Sequence, residues 1–358
     1  MPNVELQRSP LDPHSIYSLA MVMLMPHGGC NCRCVMCDIW KANRDHHELS
    51  EQDLAAHLDE LRALGPRIVT LSGGEALMSS NIWTLCRLLR KLDVAICLLS
   101  TGLLLKRHAD NVVKWCDGVT VSLDGTRHVH NAIRRIPRAF ERLADGVASI
   151  KARRPNLMVV GRCVVQRANY RELPYVIDTA KAIGLDQISF LIADVSSEAF
   201  NRPMPWSRER VSEIALGREE TAEFAHIIED VVTRYSADIS SGFIHESAAV
   251  LRRLPRYYAA LNGDGEFPEV TCNAPWVSAV IEADQTVRPC YFHQSIGNVR
   301  DQSLTAVLNS EKALAFRRNL DVSQDPTCRR CVCPLNLPPQ LLQARATAWT
   351  NARTVSTA

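Results

Sequence analysis

Between residues 19 and 192, six short apolar, β-prone runs alternate with stretches of helical periodicity, and few architectures can accommodate that rhythm. The runs lie at 19–25, 67–72, 94–100, 118–123, 157–166 and 187–192, and helical patterns fill 50–64, 82–91, 109–115, 138–152 and 171–183. Ser50 stands where an N-cap belongs, with Asp53 three residues on, and Gly65-Pro66 stops that helix. Strands joined by helices pair in parallel, so the repeated unit predicts an α/β chain with a parallel sheet covered by helices. In such a sheet the chemistry sits in the loops that follow the C-terminal ends of the strands.

After Ala193 the rhythm breaks. Residues 195–270 contain a long helical pattern over 218–235, and two short β-prone runs, 277–283 and 286–289, then flank Asp284-Gln285 as a hairpin. The reading is a main unit over 1–194, a bridging helical segment over 195–270, a small domain over 271–340 and a tail over 341–358. Forty-one basic against 39 acidic residues give a net charge of +2, which argues against nucleic-acid binding and a polybasic membrane surface. No apolar run reaches the roughly 18–20 residues that span a bilayer. The stretch 16–25 lacks a preceding basic flank and a small-residue cleavage site. The expected location is the cytoplasm.

The thirteen cysteines carry the chemistry, because most of them fall into two tight groups far apart in the chain. That distribution suits metal ligation in a reducing compartment better than a disulfide framework. The first group follows the first strand, in His27-Gly28-Gly29-Cys30-Asn31-Cys32-Arg33-Cys34-Val35-Met36-Cys37. Cys30, Cys34 and Cys37 have C-x3-C-x2-C spacing, which can hold three irons of a cubane and leave the fourth open to a ligand. A zinc site is the competing reading, although zinc prefers two paired C-x2-C elements. Two other strand ends carry polar or flexible residues: Ser72-Gly73-Gly74-Glu75 after the second strand and Ser122-Leu123-Asp124-Gly125 after the fourth.

At these residues the chain resembles the radical S-adenosylmethionine (SAM) superfamily, over roughly residues 17–192. The resemblance implies a partial (β/α)6 TIM-like barrel in which Cys30, Cys34 and Cys37 ligate a 4Fe–4S cluster that binds SAM. It implies that Gly73, Gly74 and Glu75 hold the methionine amino group, with Ala76 standing where the family usually has proline. Ser122 and Asp124 match the fourth-strand contacts to SAM. Arg134 matches an arginine that reaches the SAM carboxylate, and Gln166 and Asn169 match a pattern after the fifth strand. Met36 takes the place of an aromatic residue that lies against adenine. Cys32 falls off the pattern and reads as a non-ligand.

The second group is Cys272, Cys290, Cys328 and Cys331, with Cys333 close behind. Four thiolates on a small hairpin domain suit either zinc or a fully ligated 4Fe–4S cluster. Beside the first group, the pattern resembles the SPASM/twitch subfamily, which implies a β-hairpin-plus-helix C-terminal domain holding a second, auxiliary 4Fe–4S cluster. With only Cys333 to spare, the shorter twitch form with one auxiliary cluster fits best. Cys86, Cys97 and Cys116 sit among apolar residues and read as core packing, whereas Cys163 on the fifth strand either fills the core or faces the interior as a hydrogen-atom donor. The basic, aromatic run over 251–258 reads as an anion contact or as an amphipathic helix with its arginines outward.

The expected function is an oxidoreductase in which a 5′-deoxyadenosyl radical abstracts hydrogen from an unactivated C–H bond of a small metabolite. The net reaction is an oxidation or rearrangement in natural-product or cofactor biosynthesis. A flavodoxin- or ferredoxin-type protein is the expected electron donor. Two alternatives remain: a peptide-modifying maturase, and a non-catalytic scaffold with zinc at both cysteine groups.

Overall fold

A computed structural model of the chain describes residues 12–43, 46–202 and 204–337. Six strands, β1 (Met21–His27), β2 (Ile68–Gly73), β3 (Ala95–Ser100), β4 (Gly118–Ser122), β5 (Met158–Val165) and β6 (Gln187–Ile192), run parallel in the order β6-β5-β4-β3-β2-β1. Each expected strand is present within two residues of its predicted bounds. The sheet is open, as a partial barrel requires, and its two faces differ. Val22, Val69, Ile96, Val119, Val159 and Ile188 share one face and belong to the hydrophobic core beneath the helices. Registered with one another on the interior face are Met23, Thr70 and Cys97, and, further along the sheet, Ser122, Arg162 and Ser189. Burial on both faces explains why these strands read as apolar runs rather than as strict alternation.

The small domain does not stand apart from this sheet. β7 (Ser278–Ile281) pairs in parallel with β1, so the hairpin with β8 (Thr286–Arg288) and the short β9 (Gly297–Asn298) extend the barrel sheet to nine strands. The hairpin tip is at Asp284-Gln285, and Gln285 takes the left-handed φ of +70° that a glycine would usually supply. Its amide nitrogen Nε2 donates to Asp53 Oδ1 at 2.8 Å, which ties the tip to the first helical segment of the barrel. At the opposite edge, β6 is covered: Ile188 N donates to Phe243 O, and His245 N to Ile188 O.

Two departures of the barrel helices from the sequence pattern bear on the site. The span 50–64 is two helices, Glu51–Ala55 and Leu58–Leu64, broken where His57 leaves helical geometry at φ −110°, ψ 9°. Its N-terminus carries the full reciprocal cap between Ser50 and Asp53, and Gly65 closes the second helix at φ +61°. The helix Arg127–Arg134 was absent from the expected elements because only a few of its eight residues are apolar. It is buried along one stripe through His130, Ile133 and Arg134.

In the bridging segment, the run over 251–258 ends a short helix, Ala248–Leu251, and enters an amphipathic one, Arg253–Leu261. Leu254, Tyr257 and Tyr258 are buried, Arg252 and Arg256 are exposed, and Arg252 pairs with Glu229. Tyr258 Oη donates to Val165 O at 2.8 Å, docking this helix onto the end of β5. The expected tail over 341–358 lies outside the described residues. Among the described residues, no helix is long and apolar enough to cross a membrane.

Candidate functional site

The first cysteine group occupies the loop after β1, and three neighbours fix its path. Gly29 O accepts from Glu75 N at 3.0 Å, and Gly74 N donates to His27 O. Arg33 N and Val35 N donate to the carbonyls of Arg134 and Ile133. Asn43 brackets Cys30, accepting from its N–H and donating to its carbonyl, both at 2.8 Å. The loop is therefore held by backbone groups from β2 and from the helix Arg127–Arg134. Cys34 is buried, and Cys30 and Cys37 are half-buried.

The electrostatics of this loop suit bound iron. Burial raises the Cys37 thiol to about 12, with the charges of Cys34 and Cys30 adding to the shift. A thiolate there needs a cation, which a ligated metal ion would supply. Cys34 is drawn the other way, down from its ordinary value, chiefly by its hydrogen bond with Cys32 and, against burial, by the Arg134 guanidinium. Arg134 Nη1 donates to Cys34 Sγ at 3.4 Å. Cys32 is buried, its N–H donates to Cys30 Sγ, and its own thiol is pushed far up by hydrogen bonds to Cys30 and Cys34.

The residues expected to contact SAM gather at the same edge of the sheet. Gly73 has φ +114°, and it and Gly74 lie against the backbone of His27 and Gly29. Glu75 is buried, and its carboxylate accepts from Ser100 Oγ at 2.9 Å, Thr101 N at 2.6 Å and Leu77 N at 3.2 Å. These donors fix the carboxylate at the edge of the sheet, beside the cysteine loop that its own N–H anchors through Gly29 O. Burial nevertheless raises its pKa, with the Thr101 and Ser100 hydrogen bonds opposing. Ser122 lies half-buried on the interior face. Asp124 and Arg134 form a buried ion pair, and Asp124 Oδ1 also accepts from Val164 N at 2.9 Å. Arg134 Nε is buried without a partner.

Asn169 joins the ends of two strands, donating to Asp124 O and Val164 O and accepting from Gln166 N. Gln166 is fully buried, and its Oε1 has no partner. Cys163 does not reach the interior. It registers with Phe190 in the helix-covered core and meets Asn169 Nδ2 at 3.6 Å, so the geometry provides no path to a hydrogen-donor role. Cys97 reverses its expected placement: it shares the interior face with Thr70, whereas Cys86 and Cys116 pack in the core.

Three residues carried no sequence signal. Arg202 is buried in the bridging segment, with its guanidinium 3.9 Å above the Trp206 ring, paired with Asp194 at 2.6 Å and donating to Met36 O at 3.4 Å. Two positions earlier, Phe200 lies 5.1 Å from the ring of Tyr291, the residue after Cys290. The segment thus touches both cysteine groups, a contact that spacing along the chain cannot reveal. Glu246 is the third, buried beside Ser189 and Phe190 with Oε2 unpartnered. Burial raises its pKa to about 7, against hydrogen bonds from Phe190 N–H and Ser189 and the charge of Arg162.

The cysteines of the second group lie near enough for their charges to act on one another. The charges of Cys272 and Asp325 act on Cys290, those of Asp325, Cys290 and Cys272 on Cys328, and those of Cys333, Cys272 and Cys290 on Cys331. Burial raises Cys290 to about 11 and Cys328 and Cys331 higher still, again a set that needs metal to ionise. Cys333 is exposed. Beside the group stands His293, three residues after Cys290. A Cys-x2-His spacing was its only sequence signal.

The comparisons with known proteins agree with this geometry. Residues 24–205 match the model of the radical SAM superfamily, and residues 272–332 match that of an iron–sulfur cluster-binding domain, SPASM. Fe-coproporphyrin III synthase of Methanosarcina barkeri is 24% identical over 321 residues, covering 84% of this chain and 78% of its own. PqqA peptide cyclase of Ruegeria pomeroyi is 25% identical over 294 residues, covering 79% and 71%. The crystal structure of Streptococcus suis SuiB bound to precursor peptide SuiA shares the fold, with a TM-score of 0.62 at 14% identity over 92% of this chain and 74% of SuiB. The cluster-binding match gives the domain that carries the second group an auxiliary iron–sulfur cluster in place of a zinc scaffold. The chain belongs to the radical SAM superfamily, with a 4Fe–4S cluster and SAM at the barrel and an auxiliary iron–sulfur cluster in a SPASM/twitch domain.

Proposed function

We propose that the enzyme oxidises or rearranges a small metabolite at an unactivated C–H bond, in natural-product or cofactor biosynthesis. The cluster and SAM together supply a 5′-deoxyadenosyl radical when bound. The residues of the chain hold the cofactor and close the cavity. Cys30, Cys34 and Cys37 ligate the barrel cluster, and Cys272, Cys290, Cys328 and Cys331 the auxiliary one. Gly73, Gly74, Glu75, Ser122, Asp124, Arg134, Gln166, Asn169 and Met36 surround SAM. The buried Asp124–Arg134 pair supports this role most directly, because Arg134 combines an unpartnered Nε with a bond to the ligand sulfur of Cys34. A flavodoxin- or ferredoxin-type protein is the electron donor this reading requires, and an auxiliary cluster held by Cys272, Cys290, Cys328 and Cys331 would supply an acceptor for the electron left on the substrate radical.

The similarity to Fe-coproporphyrin III synthase over 84% of the chain favours a small cofactor-class substrate. The similarity to PqqA peptide cyclase over 79% favours a peptide as the second reading. Anaerobically reconstituted, reduced protein should convert SAM to 5′-deoxyadenosine and methionine. The joint Cys30, Cys34 and Cys37→Ala variant should lose that activity and keep about four of about eight irons. A folded triple variant without iron overturns the assignment of the auxiliary ligands. Deuterium transfer into 5′-deoxyadenosine from a labelled porphyrin rather than from a labelled peptide supports the small-molecule reading, and the reverse result replaces it.

A further inference from the structure

His293 has no place in the reading above, yet its surroundings are built around it. Its Nε2 lies 3.3 Å from Cys328 Sγ and 3.7 Å from Asp325 Oδ1, and the side chain is 11% exposed. One ligand-type atom from each of the three residues falls within 4.8 Å of the other two. The ring packs edge-on against Phe316 at 4.9 Å. The backbone is anchored too: His293 O accepts from Arg288 Nη1 at 3.2 Å, and Arg288 is itself held by Glu282 at 2.7 Å.

The partners decide which form of the imidazole sits there. An iron-bound Cys328 is a thiolate without a proton, and so only accepts. Asp325 is a carboxylate that already accepts from Thr327 N and Cys328 N, both at 2.9 Å. Two acceptors facing one nitrogen require the proton to sit on Nε2. The same distance argues against ligation. Nitrogen and sulfur on different corners of a cubane are kept apart by the cluster itself, whereas Nε2 stands at hydrogen-bond distance from the sulfur.

We propose that His293 is a positioning residue of the auxiliary cluster, donating an Nε2–H hydrogen bond to the sulfur of Cys328 and making that cluster easier to reduce. Reduction adds negative charge that spreads onto the ligand sulfurs. A fixed donor stabilises that charge and raises the potential. In the proposed reaction the auxiliary cluster takes one electron from a substrate radical, so a higher potential favours the transfer. The inference rests on the second cysteine group holding a cluster, which iron content reports independently of the potential.

The test is a redox titration followed by electron paramagnetic resonance on the full chain carrying the Cys30, Cys34 and Cys37→Ala changes, so that only the auxiliary cluster signals. His293→Phe keeps a ring against Phe316 but removes the donor, and His293→Gln restores an amide donor. The phenylalanine variant should show a more negative potential with its iron unchanged, and the glutamine variant should return toward the parent value. If His293→Phe melts lower than the parent, His293→Leu replaces it and is judged by the same criteria. An unchanged potential with iron intact overturns the proposal. So does loss of the auxiliary irons from a variant with the parent melting temperature, since that makes His293 a ligand. A parent protein without auxiliary iron would instead overturn the cluster reading beneath it.

Discussion

A methyl group built on Gly74 would lie 2.0 Å from the carbonyl oxygen of Gly29, so the end of β2 and the cysteine loop after β1 meet backbone to backbone. The same atom would stand 3.0 Å from Cys30 Cβ. No side chain fits between the two loops, and an alanine must push the cysteine loop away from its place.

Gly74→Ala should therefore act on the barrel cluster and spare the auxiliary one. Iron should fall from about eight to about four per chain, with SAM cleavage lost. Gly65→Ala is the contrast. Its φ is positive, which Gly74's is not, but a methyl there meets nothing within 4 Å, so it should cost only about 1 kcal/mol of stability and no iron. Iron analysis beside a melting curve separates the two outcomes. Full iron in Gly74→Ala would show that the loops are not locked together.

The Asp124–Arg134 pair predicts a pattern of stability and binding. Arg134→Met leaves Asp124 buried beside an apolar chain, a change that costs about 3–5 kcal/mol when one partner of a buried pair is removed. Adding Asp124→Asn removes the uncompensated charge, so the double variant should recover much of the melting temperature. SAM affinity should stay low in both, because the guanidinium is absent from both. Calorimetric binding of SAM that survives in the double variant would take Arg134 out of the site.

Glu246 makes stability depend on pH. Its folded pKa, about 7, lies above the ordinary 4.5, so the folded chain holds the proton more tightly than the unfolded chain does. Stability from this group is then present below about 4.5 and is lost as pH rises to about 7. Glu246→Gln cannot titrate. Relative to wild type it should gain on the order of 3 kcal/mol across that window, at roughly 1.4 kcal/mol per pKa unit. Melting curves at pH 5 and pH 8 measure the gain, and a difference that does not change with pH refutes the assignment.

The sequence patterns that proved reliable were local ones. Each parallel strand appears in the sequence as an apolar run because helices cover one face and the interior the other, and Ser50 marks a helix start through its side-chain cap while Gly65 marks a helix end through its left-handed backbone. The helix Arg127–Arg134 escaped notice because its buried stripe is partly polar: His130 and Arg134 are inside owing to partners from elsewhere in the chain.

Residue types and spacing alone determined the cysteine groups and the glycine pair, since ligation and close backbone approach depend on them directly. The tertiary structure decided what those groups touch. It set Cys163 into the core and Cys97 toward the interior, a choice that follows from strand register rather than composition. It also brought Arg202 to Met36 across 166 residues, and His293 to Cys328 across 35. It joined the hairpin of the small domain to the barrel sheet through β1 and β7, a pairing that the spacing of the runs does not carry. Such contacts depend on how the sheet curves and which edges pair, and those are properties of the packed chain that no stretch of sequence carries by itself.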